Sequence, residues 1–427
     1  MLNADLIRRL VVNTQFFLCA FTQSILERVE STGYVQLEKY YRHYSTKERM
    51  ELLSSIENEQ IQYLLKRSLP NEQDFIQVLE ELNKISISDT EFSRCTQECG
   101  KAIISWLFYC CKQKYHKTIR TALATNFCKI NKNYIFVDEK YIIHKDIDYH
   151  IIEDIQTFVE IILNLESNKN LFFRGQGSLN YWLQPSISRD SRIKQNELKL
   201  YQELMLRCPS DFEGCKTHLD FLVEMQHYGL PTRLVDITTN PFVALFFAVC
   251  NKDDADDGEV VIFDVPEKKM KYEGSDTVTI LSCLPLFSFV DQNLLFENAR
   301  SLDQKTFNNQ EVVARLLQEI RIDKPAFSDR IIPSDLTECL VVTPSKKNKR
   351  IIKQSGAFII CGLTENYQRS NPLEKFRYKN KNNKKMLLII KNKKNILKQL
   401  RAFDIHTATL FPEIDDVANY LRTEWID

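Results

Sequence analysis

The sequence predicts an α+β protein in which a helical N-terminal domain precedes a split, mixed β-sheet core with flanking helices. Three observations support this fold class. Apolar residues recur at helical spacing through residues 1–115, and residues 133–144 change to strand-like runs. Residues 226–249 then combine a glycine–proline turn, a short strand and an apolar helix. The length of 427 residues is sufficient for two or three domains.

Composition limits the class of protein. Basic and acidic residues number 57 each, which disfavours a globally basic nucleic-acid binder. The twelve cysteines include no C-x-x-C pair and no Cys/His spacing typical of zinc. We therefore expect reduced thiols, a cytoplasmic location and no resident metal. No run is long and apolar enough to cross a membrane, so no membrane partner is expected.

The N-terminal domain is predicted over residues 1–130. Its apolar spacing indicates helices, with breaks expected at Gly33 and Gly100. Residues 133–144 predict a β-hairpin that marks the boundary. The second domain is predicted over residues 150–427.

Periodicity also predicts the elements of the second domain. Helices are expected over residues 151–165, 194–207, 215–228, 241–249 and 393–402. Strands are expected over residues 171–174, 232–237, 259–265, 339–343 and 386–391, with a bent strand or hairpin over 351–361. Residues 366–385 are rich in lysine, arginine and asparagine, which predicts a mobile surface loop, with an RNA- or phosphate-binding patch as the alternative.

An arginine stands at the end of one predicted strand. Arg174 closes an apolar run and is followed by Gly175 and Gln176. A guanidinium beside flexible backbone can hold a phosphate or carboxylate through two parallel hydrogen bonds. A structural salt bridge is an equally weighted alternative for Arg174.

Two charges lie inside the apolar stretch 226–249. Arg233 and Asp236 are expected to be mostly buried and satisfied, because buried charges must be paired. One interpretation is an internal Arg233–Asp236 pair that braces the turn. The other is a polar site at the end of a sheet, where Thr238 and Thr239 face a ligand. His227 beside the same turn is either a structural, hydrogen-bonded histidine or part of that site.

Several motifs, in order, resemble the FRG domain family, which is named for its Phe-Arg-Gly signature. They are Phe173-Arg174-Gly175-Gln176, Leu183-x-Pro185-Ser186-Ile187-x-Arg189, the run 226–238, Ala244-Leu245-Phe246-Phe247-Ala248, the set Arg350, Gln354, Gly356 and Phe358, and Leu410-Phe411-Pro412. The likeness covers residues 150–427 and leaves the helical N-terminus outside. It implies a bacterial or phage-borne protein of a defence or toxin-like system.

A looser resemblance is to ADP-ribosyltransferases of the Arg-Ser-Glu type, and it implies an ADP-ribosyltransferase-like fold. Arg174 is similar to the arginine that ends their first strand. Thr238 and Thr239 match the position of their Ser-Thr-Ser motif. Their third element differs here, because no acidic residue lies between Thr343 and Gly362, where their catalytic glutamate would stand.

Together the resemblances imply an NAD-using transferase or glycohydrolase with NAD as cofactor. The expected catalytic residues are Arg174, His227, Asp236, Thr238 and Gln354, and the expected cofactor-binding residues are Arg174, Gly175, Gln176, Arg233 and Thr239. Arg174 would hold the pyrophosphate, and His227 or Asp236 would stabilise the developing ribosyl cation. Asp236 or Glu197 would supply the missing acid.

Two other functions remain open at this stage. One is a non-catalytic module that senses a nucleotide or phosphorylated ligand, which the missing glutamate favours. The other is a protein-interaction module whose motif residues are structural. In either nucleotide-binding case we expect the five catalytic candidates to converge on one concave site. The macromolecular acceptor of a transferase is not identified by the sequence.

Overall fold

The computed structural model divides into two compact units, residues 1–147 and residues 148–427. The structure describes residues 6, 8, 9, 11, 15–37, 46–54, 56, 58–67, 69, 71–85, 89–111, 113–166, 170–250, 256–328, 330–343 and 348–424. Helices and a mixed sheet occur together, so the predicted α+β class is confirmed. Within the described ranges, no helix combines the length and apolarity needed to cross a bilayer.

The first unit is a layer of helices beside a small sheet. Helices α1 to α6 span Gln15–Thr32, Thr46–Ser54, Glu59–Lys66, Glu72–Lys84, Asp89–Cys110 and Gln113–Ile130. Strands β1, β2 and β3 span Tyr34–Gln36, Tyr134–Val137 and Tyr141–His144, and they form an antiparallel sheet in the order β1-β3-β2. The predicted hairpin is confirmed by the pairing of Tyr134 with His144. Its central residue Ile142 is fully buried in the core that the helices also form.

Two details of the first unit differ from the sequence prediction. The N-terminal region is not all-helical, because β1 follows the left-handed Gly33 and pairs with β3. Gly100 does not break a helix and lies inside α5. A Cβ at Gly100 would stand 2.7 Å from the carbonyl oxygen of Ala20 in α1. The glycine therefore permits close packing of two helices, which sequence alone cannot distinguish from a helix break.

The second unit is built on one eight-stranded sheet. Its strands β4 to β11 span Ile147–Ile152, Leu171–Gln176, Leu234–Thr238, Gly258–Asp264, Met270–Tyr272, Cys339–Thr343, Gly356–Cys361 and Lys385–Ile390. Their order is β4-β11-β7-β5-β6-β10-β9-β8. The sheet is mixed, since β8 and β9 are parallel whereas β5 and β7, or β6 and β10, are antiparallel.

Most helices of the second unit pack on one face of this sheet, and segments that contribute Leu183, Tyr367, Leu373 and Phe376 cover the other face. Helices α7 to α19 span Ile155–Leu163, Ser191–Gln195, Glu197–Arg207, His218–His227, Pro241–Val249, Asp276–Cys283, Phe289–Ser301, Gln304–Asn308, Glu311–Asp323, Lys349–Lys353, Lys393–Arg401, Thr407–Leu410 and Ile414–Glu424. Adjacent residues of β5 enter different clusters: Phe173 packs with the apolar helix α11, and Phe172 packs on the other face. Side chains of a strand alternate between faces, so β5 is buried on both sides.

Helix α11 follows the sequence prediction closely. It begins with Asn240 as its N-cap, whose side chain accepts a hydrogen bond from the backbone N–H of Phe242. Pro241 occupies the first helical position, where no N–H is required. Most residues of α11 are buried, as its apolar sequence indicates.

Two predicted boundaries in the second unit were wrong. The helix expected from residue 151 begins at Ile155, because residues 147–152 form β4 and Asp154 caps the helix by accepting from the N–H of Thr157. The bent strand expected over residues 351–361 is instead helix α16 followed by strand β10. Ser355 provides the turn between them with a left-handed φ of +48°.

Residues 366–385 are not simply a surface loop. Leu373, Phe376 and Tyr378 are buried, and the Arg377 side chain is 3% exposed. Arg377 pairs with Glu259 of β7 at 2.6 Å and with Glu374 at 2.9 Å. The prediction of a surface loop was therefore wrong for residues 373–378, because apolar residues and one arginine insert among the lysines.

Candidate functional site

A cavity of about 310 Å³ opens at the centre of the second unit's sheet. Strands β5, β6 and β10 contribute its floor, and helices α10, α11 and α16 contribute its walls. The residues that line it include Arg174, Arg189, Gln226, His227, Asp236, Thr238, Phe247, Arg350 and Gln354. The structure thus brings the five catalytic candidates from the sequence to one concave site.

The cavity lies where two neighbouring strands separate. Strands β5 and β6 are joined at a single residue pair, Phe173 with Thr238. Beyond that pair, Nη1 of Arg174 donates a hydrogen bond of 2.7 Å to the carbonyl oxygen of Asp236. A side chain therefore replaces the backbone ladder at this point, and the gap between the strands becomes the floor of the cavity.

Arg174 lies in the cavity with part of its hydrogen-bonding capacity unused. Its side chain is 14% exposed, and its Nη1 lies 3.8 Å from the Asp236 carboxylate. Its Nε is buried and has no partner among the described residues. Burial lowers the pKa of Arg174 and Asp236 opposes that shift, so the guanidinium is a charge only partly compensated by its surroundings.

Asp236 does not have the environment predicted for it. Its side chain is 62% exposed, although it stands between buried residues of β6. The physical reason is the cavity, which opens over Asp236, whereas Leu234 and Thr238 on the same face of β6 are buried. Its Oδ2 accepts a 3.0 Å hydrogen bond from Nε2 of Gln226. Asp236 is thus a carboxylate at an open site, and the prediction that it is mostly buried was wrong.

Arg233 is buried as predicted, but its partner is a different acid. Its Nη2 donates to Glu197 and to Gln292, both at 2.6 Å, and the Arg233 and Glu197 side chains are each 5% exposed. The internal Arg233–Asp236 pair is therefore absent. Arg233 does not line the cavity, although the resemblance placed it with the cofactor-binding residues.

The hydroxyl groups of Thr238 and Thr239 make hydrogen bonds to backbone groups. Thr238 is 4% exposed, and its Oγ1 donates to the Gln354 carbonyl and accepts from the N–H of Asn240. The backbone N–H of Thr239 donates to the Ser355 carbonyl at 3.1 Å, and Thr239 does not line the cavity. In this structure both residues tie β6 to the turn before β10 rather than face the cavity through a free hydroxyl.

Gly175 is required by packing. A Cβ there would stand 1.9 Å from the carbonyl oxygen of Ala244 and 2.6 Å from the amide nitrogen of Ala248. The absence of a side chain at Gly175 therefore allows the backbone of helix α11 to lie close to strand β5. Gln176 is buried outside the cavity lining, and it stands opposite Glu259 in the backbone ladder between β5 and β7.

His227 and Gln354 line the cavity but direct side-chain atoms to a neighbouring segment. Nε2 of His227 lies 2.7 Å from a carboxylate oxygen of Glu413, and its Nδ1 is buried without a hydrogen-bond partner among the described residues. Nε2 of Gln354 donates to the Leu410 carbonyl at 3.1 Å. Neither ring nitrogen of His227 therefore faces the cavity as a free base in this state.

Two further arginines line the cavity and were not chosen as site residues from the sequence. Arg189 is exposed, and Arg350 donates to the His227 carbonyl at 3.3 Å. Both stand in motifs quoted for the family resemblance, which was the available signal. Together with Arg174 they place three guanidinium groups around a cavity whose only lining carboxylate among the described residues is Asp236.

Comparison with known proteins gives one family match. The family model of the FRG domain matches residues 169–257, which include β5, β6 with Asp236, and α11. The comparison with curated proteins found no match, and neither did the comparison with solved structures. The matched range contains two of the motifs that resemble this family, Phe173-Arg174-Gly175 and Gln226-His227-Tyr228-Gly229. The chain therefore contains an FRG domain.

Proposed function

We propose that the cavity binds the phosphate-bearing part of a nucleotide such as NAD. The observation that supports this proposal most is the excess of cationic groups: Arg174, Arg189 and Arg350 face one carboxylate, Asp236. Guanidinium groups bind phosphate through paired, charge-assisted hydrogen bonds. Partly buried arginines with unused donors favour such a ligand, because an anion would satisfy those donors.

The remaining features fit a sugar phosphate. A volume of about 310 Å³ is at the small end of the range of about 300–1,000 Å³ for small-molecule pockets. This size suits one phosphorylated ribose portion of a dinucleotide, with the rest of the ligand outside. The Asp236 carboxylate, held by Gln226, is a good acceptor for sugar hydroxyls.

ADP-ribosyl transfer is the second candidate function, and the position of Asp236 favours it. A carboxylate open to the cavity could stabilise the ribosyl cation that forms as nicotinamide leaves. In this proposal Asp236 takes the place of the glutamate that the transferase resemblance expects, and the sheet is ADP-ribosyltransferase-like. An effector of a bacterial or phage defence system is the cellular role that the family resemblance supports for either function.

Binding measurements with the purified chain test the proposal. NAD and ADP-ribose should bind, whereas nicotinamide riboside, which lacks the phosphates, should bind far more weakly. Arg174→Lys keeps the charge but loses the planar pair of donors, so it should raise the Kd of ADP-ribose about tenfold with an unchanged melting temperature. Arg207→Gln is the matched control, since Arg207 is exposed, pairs with Glu203 on the surface and lies outside the cavity lining.

Three results would separate the alternatives. Equal affinity of Arg174→Lys and the parent for ADP-ribose would contradict the site assignment. Binding of NAD without release of nicotinamide would support a sensing module and contradict turnover. Release of nicotinamide that disappears in Asp236→Asn while NAD still binds would support the transferase or glycohydrolase.

A further inference from the structure

The cavity has a neighbour that the family match does not include. Residues 410–413, which we term the C-terminal strap, run from the last residue of helix α18 to the residue before helix α19. It contains Leu410-Phe411-Pro412, one of the motifs that resemble the FRG domain family. None of the four strap residues lines the cavity.

Four cavity-lining residues contact the strap. Gln354 donates to the Leu410 carbonyl at 3.1 Å, and His227 lies 2.7 Å from the Glu413 carboxylate. Phe247 and Arg350 both contact the Phe411 ring, with centroids 6.0 Å apart for the two phenylalanines and the guanidinium carbon 4.2 Å from the centroid. The contacting residues come from α10, α11, α16 and the turn after α16, so the strap is held from several sides.

The charge of Glu413 strengthens this attachment. Burial raises the pKa of Glu413, but its hydrogen bond with His227 and the nearby charge of Arg350 bring it below its ordinary value. Glu413 is therefore ionised at neutral pH, and a charge-assisted hydrogen bond to His227 holds the strap in place.

The contact with Phe411 uses only one part of Arg350. A ring binds a guanidinium through its face, whereas hydrogen bonds to phosphate lie in the guanidinium plane. Nη1 of Arg350 donates to the His227 carbonyl, and the other donors of Arg350 make no hydrogen bond to the described residues. The Phe411 ring and a phosphate can thus contact the guanidinium of Arg350 at the same time. The ring holds this guanidinium in its orientation before the ligand binds.

We infer that Phe411 is a positioning residue that completes the anion site by orienting Arg350 for a phosphate group. The inference rests on the proposed function, since it concerns the same cavity. It makes the strap part of the binding site although no strap residue faces the ligand. Linkage then requires that a bound phosphate ligand stabilise the docked strap as much as the docked strap favours the ligand.

Substitutions of Phe411 test the inference with ADP-ribose and inorganic pyrophosphate as probes. Phe411→Leu keeps apolar volume but removes the ring face, and it should raise the Kd of both probes about five- to tenfold. Phe411→Tyr keeps the ring and should restore parental affinity. Phe403→Leu is the matched control, because Phe403 also stacks in this unit, on Phe242, but lies outside the cavity lining.

A double-mutant cycle distinguishes positioning from general support of the fold. If Phe411 acts through Arg350, Phe411→Leu should have no further effect on probe affinity in an Arg350→Gln background. Equal probe affinity in Phe411→Leu and the parent, or effects of the two substitutions that simply add, would overturn the inference while leaving the cavity assignment intact. Failure of the parent to bind either probe would instead overturn the proposed function and the inference with it.

Hydrogen exchange supplies a second readout. Saturating ADP-ribose should slow amide exchange at residues 410–413 in the parent, and this protection should be lost in Phe411→Leu. Tight binding of ADP-ribose by the parent with unchanged exchange in the strap would contradict the linkage.

Discussion

Arg233 and Asp236 show how far two charges three positions apart can differ in environment. Arg233 is enclosed with Glu197, and both side chains are 5% exposed, whereas the Asp236 side chain is 62% exposed at the cavity. Both stand among apolar neighbours in the sequence, so local composition alone predicts burial for each. Tertiary contacts decide the outcome, because Arg233 meets Glu197 and Gln292 just before β6, whereas the cavity opens over Asp236.

This difference predicts opposite stability effects. Glu197→Ala should lower the free energy of unfolding by about 3–5 kcal/mol, because it leaves the buried Arg233 without its acidic partner. Asp236→Ala should lower it by less than about 1 kcal/mol, since an exposed side chain loses little on truncation. Denaturant unfolding followed by circular dichroism measures both. A large loss in Asp236→Ala would show that its carboxylate is structural.

At the scale of elements, the fit between β5 and α11 determines the shape of the cavity. Gly175 in β5 and Gly258 in β7 both face the backbone of α11, where an added Cβ would stand 1.9 Å and 2.4 Å from carbonyl oxygens. Backbone atoms cannot rotate away as a flexible side chain would. The helix must therefore move as a body if either glycine gains a side chain.

Gly175→Ala should accordingly destabilise the second unit by about 1–3 kcal/mol or more, as overpacked sites do. It should also weaken binding of ADP-ribose, because α11 supplies Phe247 to the cavity wall. Gly214→Ala is the control, since a Cβ there meets no atom within 4 Å. Thermal melts of the two variants make the comparison, and a parental melting temperature for Gly175→Ala would contradict the described packing.

The sequence predicted elements best where local signals and burial agree. Strand β5, strand β6 and helix α11 were predicted because apolar runs end at a capping Asn240 or at a glycine turn. The boundary at α16 was missed because Ser355 adopts a left-handed conformation that its residue type does not signal. Gly100 was misinterpreted because close helix packing and a helix break require the same residue.

At the scale of the whole molecule, a buried ionic cluster joins residues 373–385 to the sheet. Glu374 accepts from Arg377 and Lys385, and Arg377 also pairs with Glu259. Burial raises the pKa of Glu374, but Arg377 and Lys385 outweigh that effect and hold it below its ordinary value. The cluster thus stabilises the fold when Glu374 is ionised.

The sign of the pH dependence follows from this lowered pKa. The contribution is fully present above the ordinary glutamate pKa of about 4.3 and is lost as the pH falls through the lower pKa of the folded state. The melting temperature of the parent should therefore exceed that of Glu374→Gln at neutral pH, and the difference should shrink as the pH falls below about 4. A difference that grows on acidification would contradict the described cluster. Glu365→Gln is a suitable exposed control.

The sequence predicted, from strand ends and motif order, that the site residues lie close together. It did not predict which contacts each of them makes. Arg174 and Asp236 face the cavity because they stand where β5 and β6 separate. The roles of Thr238 and His227 depend on Gln354 and Glu413, which lie more than a hundred residues later in the chain. Contacts of such long range leave no periodic signal in a single sequence.

The strand order also has a consequence for biosynthesis. Strand β5 lies between β7 and β6, and β6 completes its pairing with β10, which is synthesised much later. At about 5–20 residues per second, roughly 6–24 s pass between the emergence of β6 and that of β10. During this interval β6 presents an open, apolar edge of the kind that aggregates. A nascent chain that ends before residue 356 should therefore recruit chaperones, and it should acquire affinity for nucleotide only after the strap has left the ribosome.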